Sequence, residues 1–308
     1  MPIPEALKVL TTVRDLVRWG ASEFEREGLS YGHGFATALD EARYLTLHAL
    51  ALPYDLGDDY LDAVLTLAER EQVIEILQLR VSSRRPAAYI SREAWFCGLS
   101  FYVDERVLVP RSPMAELLAN HFEPWVESQR VHRILDLCCG SGCIGIAAQY
   151  QFPDAEVCMS DLSTDALEVA AINLQRHDLD GVIELYQSDL FANIPAQQFD
   201  IIVSNPPYVD AEDMAALSDE FRAEPELGLA AGEDGLALVE RILESALDYL
   251  SADGALFIEV GNSQAAMEQK YDFLPMTWVD FEMGGAGVCC IHAEDLRQHR
   301  CAILAVAS

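Results

Sequence analysis

The sequence predicts an α/β fold, in which a doubly wound, mainly parallel sheet follows a small domain of helices. From His132 onward, short apolar runs typical of buried strands alternate with helical patterns. This alternation predicts parallel strands joined by right-handed crossovers. Before that point, apolar residues recur at helical spacing. A chain of 308 residues is long enough for two such domains, each with a core of its own.

We expect the helical domain to span residues 1–93. Leucine and valine at spacings of three and four, with proline or acidic residues at the ends, predict its helices. These run from Pro4 to Gly28, from Thr37 to Ala51, and from Ala68 to Val81. Residues 94–111 contain two short apolar runs around Gly98 and are predicted to form a hairpin linker.

The sheet domain is predicted to span residues 112–308 and to begin with a helix over Met114–Val126. Apolar runs predict seven strands, at 134–138, 156–160, 182–187, 199–204, 255–260, 277–281 and 288–292. Helical patterns lie between the strands at 144–150, 164–177 and 235–250. No internal repeat interrupts the pattern.

The turn after the first strand carries the small residues of a ligand-binding loop, Asp136-Leu137-Cys138-Cys139-Gly140-Ser141-Gly142. Small residues let the backbone approach a ligand, and the following helix offers free N–H groups. Asp161 ends the second strand, where a carboxylate can accept hydrogen bonds from both hydroxyls of a ribose. Because Gly140, Gly142 and Gly145 also match G-x-G-x-x-G, an NAD-dependent oxidoreductase is an alternative. However, no histidine or lysine–tyrosine pair presents itself as a hydride-transfer acid.

The four residues Asn205-Pro206-Pro207-Tyr208 follow the fourth strand. Two prolines end the strand and remove two backbone donors, which leaves a rigid corner with free carbonyls. The Asn205 side-chain oxygen and the Pro206 carbonyl can accept both N–H bonds of a planar amine or amide, while Tyr208 packs on its face. The corner therefore suits the binding of a planar primary amine or amide.

Asn-Pro-Pro-Tyr after a strand resembles the catalytic motif of S-adenosylmethionine-dependent amino-methyltransferases. The resemblance implies that Asn205, Pro206 and Tyr208 are catalytic residues. The resemblance implies a seven-stranded Rossmann-like methyltransferase domain, with S-adenosylmethionine as cofactor and S-adenosylhomocysteine as product. It also implies that Asp189, after the third strand, reaches the adenine amine. The expected cofactor-binding residues are Asp136, Cys138, Cys139, Gly140, Ser141, Gly142, Asp161, Asp189, Leu190 and Asn205.

Longer stretches, Phe101–Pro113, Asn205–Met214 and Glu224–Ala230, are similar to the protein-glutamine methyltransferases. Within that family they resemble the branch that methylates a glutamine amide of large-subunit ribosomal protein three. This implies a substrate site of Phe101, Asn205, Pro206, Pro207 and Tyr208, with Phe101 shaping the slot for the glutamine side chain. On spacing alone, Phe101 suits a hairpin core equally well.

The alternative within the family is the sister branch, which methylates the Gly-Gly-Gln motif of release factors. That branch commonly has proline directly after Pro-Arg, where Ser112 stands here. It usually has Gly-Thr-Gly-Thr-Gly in the cofactor loop, where Cys138-Cys139-Gly140-Ser141-Gly142 stands here. A cysteine at position 138 restricts the backbone angles that a glycine adopts freely.

The formal charge of −31, from 20 basic and 51 acidic residues, repels phosphate backbones. This charge favours a basic protein as partner, and the resemblance implies that the partner is a ribosomal protein. Solubility explains the charge equally well. A nucleic-acid amino-methyltransferase, a further alternative, would carry a basic face. A non-enzymatic assembly factor is also possible, but such a protein could have lost Asn205 or Asp161, and both are present. We expect Glu224 and Glu226 to be solvated acids that face the basic substrate.

Eight cysteines without a C-x-x-C spacing predict reduced thiols and no metal site. The charged N-terminal residues do not resemble a signal peptide, and no apolar run reaches membrane-spanning length. We therefore expect a cytoplasmic protein with no membrane partner and no direct binding of nucleic acid.

Overall fold

Two compact units make up the computed structural model, which describes residues 3–306. The first contains the described residues up to Glu93 together with Leu217–Ala223, and the second contains Ala94–Ala216 and the described residues from Glu224 on. The first unit is helical. Its α-helices are α1 (Ile3–Val9), α2 (Val13–Arg26), α3 (Ala38–Ala49), α4 (Leu67–Ser83) and α5 (Ala87–Ser91).

The first predicted helix is two helices, so the prediction of one helix from Pro4 to Gly28 is wrong. Thr12 has extended backbone angles and caps α2. Its hydroxyl oxygen accepts a hydrogen bond from Asp15 N at 3.1 Å, and the Asp15 carboxylate accepts one from Thr12 N at 3.0 Å. This reciprocal capping box satisfies backbone N–H groups at the start of α2. The extended conformation of Thr12 separates α2 from α1.

A buried ion cluster stabilises the helical unit. The side chains of Arg80 on α4 and Glu220 are fully buried, and that of Glu41 on α3 is 3% exposed. Arg80 Nε donates to Glu41, and Glu220 Oε1 lies 3.7 Å from Arg80 Nη1 and 3.3 Å from Arg84 Nη1. Burial raises the pKa of Glu41, and the charge of Arg80 opposes that rise. The segment Leu217–Ala223 is therefore held in this unit by charge as well as by packing.

The second unit begins with an antiparallel hairpin of β1 (Ala94–Phe96) and β2 (Leu99–Phe101), followed by α6 (Met114–Ala119). The predicted helix over Met114–Val126 is shorter, because His121 and Phe122 have left-handed backbone angles. Their N–H groups donate to Leu118 O and Leu117 O, which is the pattern of a Schellman C-cap.

The seven-stranded sheet is mainly parallel, which confirms the predicted fold class. Its strands are β3 (Arg133–Leu137), β4 (Glu156–Asp161), β5 (Glu184–Gln187), β6 (Phe199–Ser204), β7 (Leu250–Glu259), β8 (Thr277–Trp278) and β9 (Val288–His292). They lie in the order β5-β4-β3-β6-β7-β9-β8, and β9 is antiparallel to both neighbours. The order reverses between β3 and β6, so a crevice opens beyond their carboxyl ends.

Helices cover both faces of this sheet. They are α7 (Cys143–Gln151), α8 (Thr164–Arg176), α10 (Ala237–Tyr249), α11 (Gln264–Lys270) and α12 (Ala293–Val306). The short α9 (Ala211–Ala216) has no buried residue and belongs to neither core. One core contains side chains of α6, α7 and α8, and the other contains side chains of α10, α11 and α12. The sequence did not predict α9, α11 or α12.

We expect Arg80→Ala to lower the free energy of unfolding by about 3–5 kcal/mol, because it leaves Glu41 and Glu220 buried without their central cation. The control is Arg26→Ala, which breaks an exposed ion pair with Glu23 and should cost under about 1 kcal/mol. Urea denaturation of both variants measures the difference. Equal losses for the two would show that the cluster contributes no more than a surface ion pair.

Candidate functional site

A cleft lies at the point where the strand order reverses, beyond the carboxyl ends of β3, β4 and β6. It lies within the second unit, and residues from several loops line it. Those that the sequence predicted to be functional are Cys138, Gly140, Asp161, Asp189, Leu190, Asn205 and Pro207. The structure therefore brings together the candidate cofactor loop and the Asn-Pro-Pro-Tyr corner.

Asp161 joins the loop that follows β3, which is the candidate cofactor loop, to the loop that follows β4. Its Oδ2 accepts a hydrogen bond from Gly140 N at 2.9 Å, and its Oδ1 accepts one from Ser163 N at 2.9 Å. Burial raises the pKa of Asp161, and these N–H groups oppose the rise. The carboxylate has more lone pairs than these N–H groups use, so it can also accept a hydroxyl. A Cβ on Gly140 would meet no protein atom within 4 Å, so the loop leaves space beside this carboxylate.

Asp136 lies behind the loop and does not line the cleft. It is fully buried, and its Oδ2 accepts a hydrogen bond from Gly145 N at 2.7 Å. Its Oδ1 has no hydrogen-bond partner within residues 3–306. Burial raises the pKa of Asp136 to about 7. Its position suits support of the turn into α7 better than direct contact with a ligand.

The cofactor loop holds a non-glycine residue in a left-handed conformation. Cys138 has φ 65°, and Gly140 and Gly142 have φ 53° and 77°. Only glycine adopts this region without strain, so Cys138 costs on the order of 1–3 kcal/mol. Cys139 and Ser141 are buried, and the Ser141 carbonyl accepts a hydrogen bond from Asn173 Nδ2 at 2.9 Å. These two residues shape the loop from behind.

Asp189 and Leu190 form the wall beyond β5. Asp189 is exposed, and its Oδ2 pairs with Arg241 Nη2 at 2.9 Å. Leu190 is buried and has φ 50°. The Asp189 carboxylate thus has one oxygen engaged by Arg241, and Leu190 supplies an apolar surface beside it.

The Asn205 side chain lies at the cleft and makes no hydrogen bond to any other residue that the structure describes. Ser204, just before it, donates to Leu137 O at 2.8 Å and so joins the ends of β6 and β3. Pro206 is buried, and Pro207 lines the cleft. A half-buried amide with unused donors and acceptors, on a rigid base, is suited to bind a polar group.

Tyr208 and Phe101 do not line the cleft. The Tyr208 hydroxyl donates to Glu259 Oε1 at 2.9 Å, and burial raises its pKa. Phe101 is fully buried in a core cluster, and its ring centroid lies 5.0 Å from that of His177. The structure thus places Phe101 in the hairpin core, which was one of its two predicted positions.

The expectation that Glu224 is a solvated acid is wrong. Its side chain is fully buried, and its Oε1 accepts a hydrogen bond from Val109 N at 3.0 Å. Arg111 donates to both carboxylate oxygens, with Nη2 2.7 Å from Oε2. Glu226 is exposed, as expected. Nothing in the local sequence pattern predicts this pair, although both partners lie in stretches that are similar to the protein-glutamine methyltransferases.

The Arg111–Glu224 pair fixes the chain that forms the opposite wall of the cleft, including Pro225, Leu227 and Gly228. A Cβ on Gly228 would lie 2.6 Å from Leu108 Cδ1, so the two segments approach closely.

Among residues 3–306, no cluster of three or more histidine, cysteine or acidic side chains is arranged to hold a metal ion. In the same range, every helix is too short or too polar to span a membrane.

Comparisons with known proteins agree with this geometry. Residues 113–227 match the family model of the methyltransferase small domain. The chain also resembles the catalytic domain of hMettl16, solved in complex with the MAT2A 3′UTR hairpin 6. That likeness has a TM-score of 0.50 at 15% identity and covers 72% of this chain and 79% of the other, so it shows the fold alone.

Two relatives match almost the whole chain, and both are named ribosomal protein uL3 glutamine methyltransferase. The protein from Xanthomonas campestris pv. campestris is 48% identical over 97% of both chains. The protein from Francisella tularensis subsp. tularensis is 42% identical over 94% of this chain and 93% of its own. Identity of this extent covers the helical unit as well as the sheet. The chain therefore belongs to the ribosomal protein uL3 glutamine methyltransferase family.

Proposed function

We propose that this protein transfers a methyl group from S-adenosylmethionine to the side-chain amide nitrogen of a glutamine in a large-subunit ribosomal protein. The observation that carries the proposal is the uncommitted Asn205 amide, which lies in one cleft with Gly140 and Asp161. The names of the two relatives support the ribosomal substrate. Because ribosomal proteins are made in the cytoplasm, we propose that the enzyme acts there.

The residues around the cleft suit S-adenosylmethionine. Asp161 would accept hydrogen bonds from the ribose hydroxyls, and the space beside Gly140 leaves room for the ligand. Asp189 would accept from the adenine amine with its free oxygen, and Leu190 would contact the ring. When bound, this cofactor supplies an activated methyl group on a sulfonium, so the protein needs to provide placement above all.

The corner at Asn205 would hold the amide of the substrate. A glutamine amide nitrogen is a poor nucleophile, because its lone pair is delocalised into the carbonyl. We propose that Asn205 Oδ1 and the Pro206 carbonyl accept its two N–H bonds, which moves electron density towards the nitrogen. The same contacts aim the lone pair at the methyl group. Orientation of this kind can lower the activation barrier by roughly 7–11 kcal/mol.

We assign no side chain as a general base. The two buried glutamates near the corner are engaged, Glu224 by Arg111 and Glu259 by Tyr208. The amide nitrogen becomes strongly acidic as the methyl group is transferred, so its proton can leave to water.

The cofactor assignment predicts that Asp161→Ala weakens binding of S-adenosylmethionine by about 1.5–3 kcal/mol, the range for a hydrogen bond to a charged group. Asp165→Ala is the matched control, because this exposed acid lies four residues away and outside the cleft lining. Titration calorimetry measures both. Equal affinities for the two variants would contradict the role of Asp161.

The catalytic assignment predicts that Asn205→Ala lowers the turnover rate on the order of a hundredfold, as for the loss of one preorganised polar contact. The affinity for S-adenosylmethionine should change much less, since Gly140 and Asp161 stay in place. Single-turnover transfer to the ribosomal protein, beside cofactor titration, separates the two effects. The exposed Asn120→Ala is the control, and a normal rate for Asn205→Ala would leave the corner as a structural turn.

The charge of the protein predicts that a basic substrate is attracted over a distance, so its association rate should fall as ionic strength rises. The segment 209–235 contains many acids and a single basic residue, Arg222. Replacing its exposed Glu212, Glu226 and Glu233 by glutamine should weaken the salt dependence. Replacing the exposed Asp253, Asp272 and Asp280 by asparagine is the control. Association rates are measured by stopped flow. If they do not change with ionic strength, the charge serves solubility and not recruitment of the substrate.

A further inference from the structure

Three contacts from one short segment hold Tyr208, the last residue of the Asn-Pro-Pro-Tyr corner. The segment begins with Glu259, the last residue of β7, whose Oε1 accepts from the Tyr208 hydroxyl at 2.9 Å. Ser263 Oγ donates to Tyr208 O at 3.0 Å. Gly261 lies against the ring, since a Cβ there would be 2.4 Å from ring atom Cε2. The hydroxyl, ring and carbonyl of Tyr208 are therefore all fixed.

The second oxygen of Glu259 binds Ser112. Ser112 Oγ lies 2.5 Å from Glu259 Oε2, and both residues are buried. Met114 N, at the start of α6, donates to the same Ser112 Oγ at 3.1 Å. A backbone N–H can only donate, so the serine oxygen accepts from Met114, and its own proton is directed to Glu259.

Glu259 thus accepts two hydroxyl hydrogen bonds, which favours its ionised form. Burial raises its pKa, and the bonds from Ser112 and Tyr208 together with the charge of Arg111 oppose that rise. A carboxylate this buried needs its donors, because an unmet acceptor in a dry site is costly. Ser112 therefore does more than fill space, since it holds Glu259 where Tyr208 can reach it.

We propose that Ser112 and Glu259 are positioning residues for methyl transfer, which act through Tyr208 to fix the acceptors of Asn205 and Pro206. This inference rests on the proposed function. The two prolines between Asn205 and Tyr208 have fixed φ angles, so a displacement of Tyr208 moves the whole corner. A misplacement of about 1 Å can cost a hundredfold in rate.

The test compares Ser112→Ala, Glu259→Gln and Tyr208→Phe in single-turnover methyl transfer to the ribosomal protein, with cofactor affinity measured on the same samples. We expect Ser112→Ala and Glu259→Gln to slow transfer on the order of tenfold, with cofactor affinity within about twofold of wild type. Ser112→Thr, which keeps the hydroxyl, should restore most of the rate. Ser128→Ala is the matched control, because Ser128 donates to Glu123 at 3.1 Å on the exposed surface.

Double variants show whether the effect passes through Tyr208. If it does, Glu259→Gln with Tyr208→Phe should be no slower than the slower single variant, because the three side chains act as one unit. Additive losses, or wild-type rates for Ser112→Ala and Glu259→Gln, would overturn the inference. If Glu259→Gln fails to fold, the comparison of Ser112→Ala with Ser112→Thr still tests whether the hydroxyl at position 112 is needed for the transfer rate.

A crystal structure of Ser112→Ala provides a readout that does not depend on activity. We expect the Tyr208 ring to occupy more than one rotamer, and an unchanged Tyr208 would overturn the inference. The two proposals fail separately. A wild-type protein that transfers no methyl group to the ribosomal protein contradicts the proposed function, whereas an active wild type with equally active variants contradicts the positioning role.

Discussion

A carboxylate that is removed from water must find hydrogen-bond donors, and around this cleft that requirement determines how the loops are joined. Asp136, Asp161, Glu224 and Glu259 each accept hydrogen bonds from a residue in another loop or element. Three of the four bind a backbone N–H directly. Removing the donors that these carboxylates do have would cost about 1–3 kcal/mol or more for each bond lost. The loops around the cleft are thus joined by desolvated acids, through hydrogen bonds that span from 9 to 147 residues of sequence.

The same bonds explain how the cofactor loop tolerates an unfavourable residue. Cys138 lies in the left-handed region without the freedom of glycine. The next N–H, that of Cys139, donates to Ser160 O at 2.9 Å, and Gly140 N donates to Asp161. These two successive hydrogen bonds to β4 restrict the loop to one backbone conformation. Strain of this kind persists where the surroundings over-determine the backbone.

The sequence predicted the features that depend on local pattern. The strands of the sheet are visible as apolar runs, and the corner at Asn205 is visible because two prolines follow a strand. Thr12 shows where local pattern failed, since the capping box was overlooked in an unbroken run of helical spacing. Glu224 could not be placed, because its burial depends on Arg111, which is 113 residues away. Position 101 stayed open for a similar reason, since an aromatic ring suits a core and a binding slot equally well.

The segment Leu217–Ala223 belongs to the helical unit although it comes late in the chain, and this has a consequence for synthesis on the ribosome. The chain emerges from its N-terminus, so α1 to α5 are made well before Glu220 and Phe221. Until those residues emerge, Arg80 has only Glu41 as a close anionic partner in the buried cluster, and the surface that contacts Phe221 stays open. The helical unit is thus completed only after β3 to β6 have been made. The order of translation therefore links completion of the first unit to a segment that follows the Asn-Pro-Pro-Tyr corner and α9.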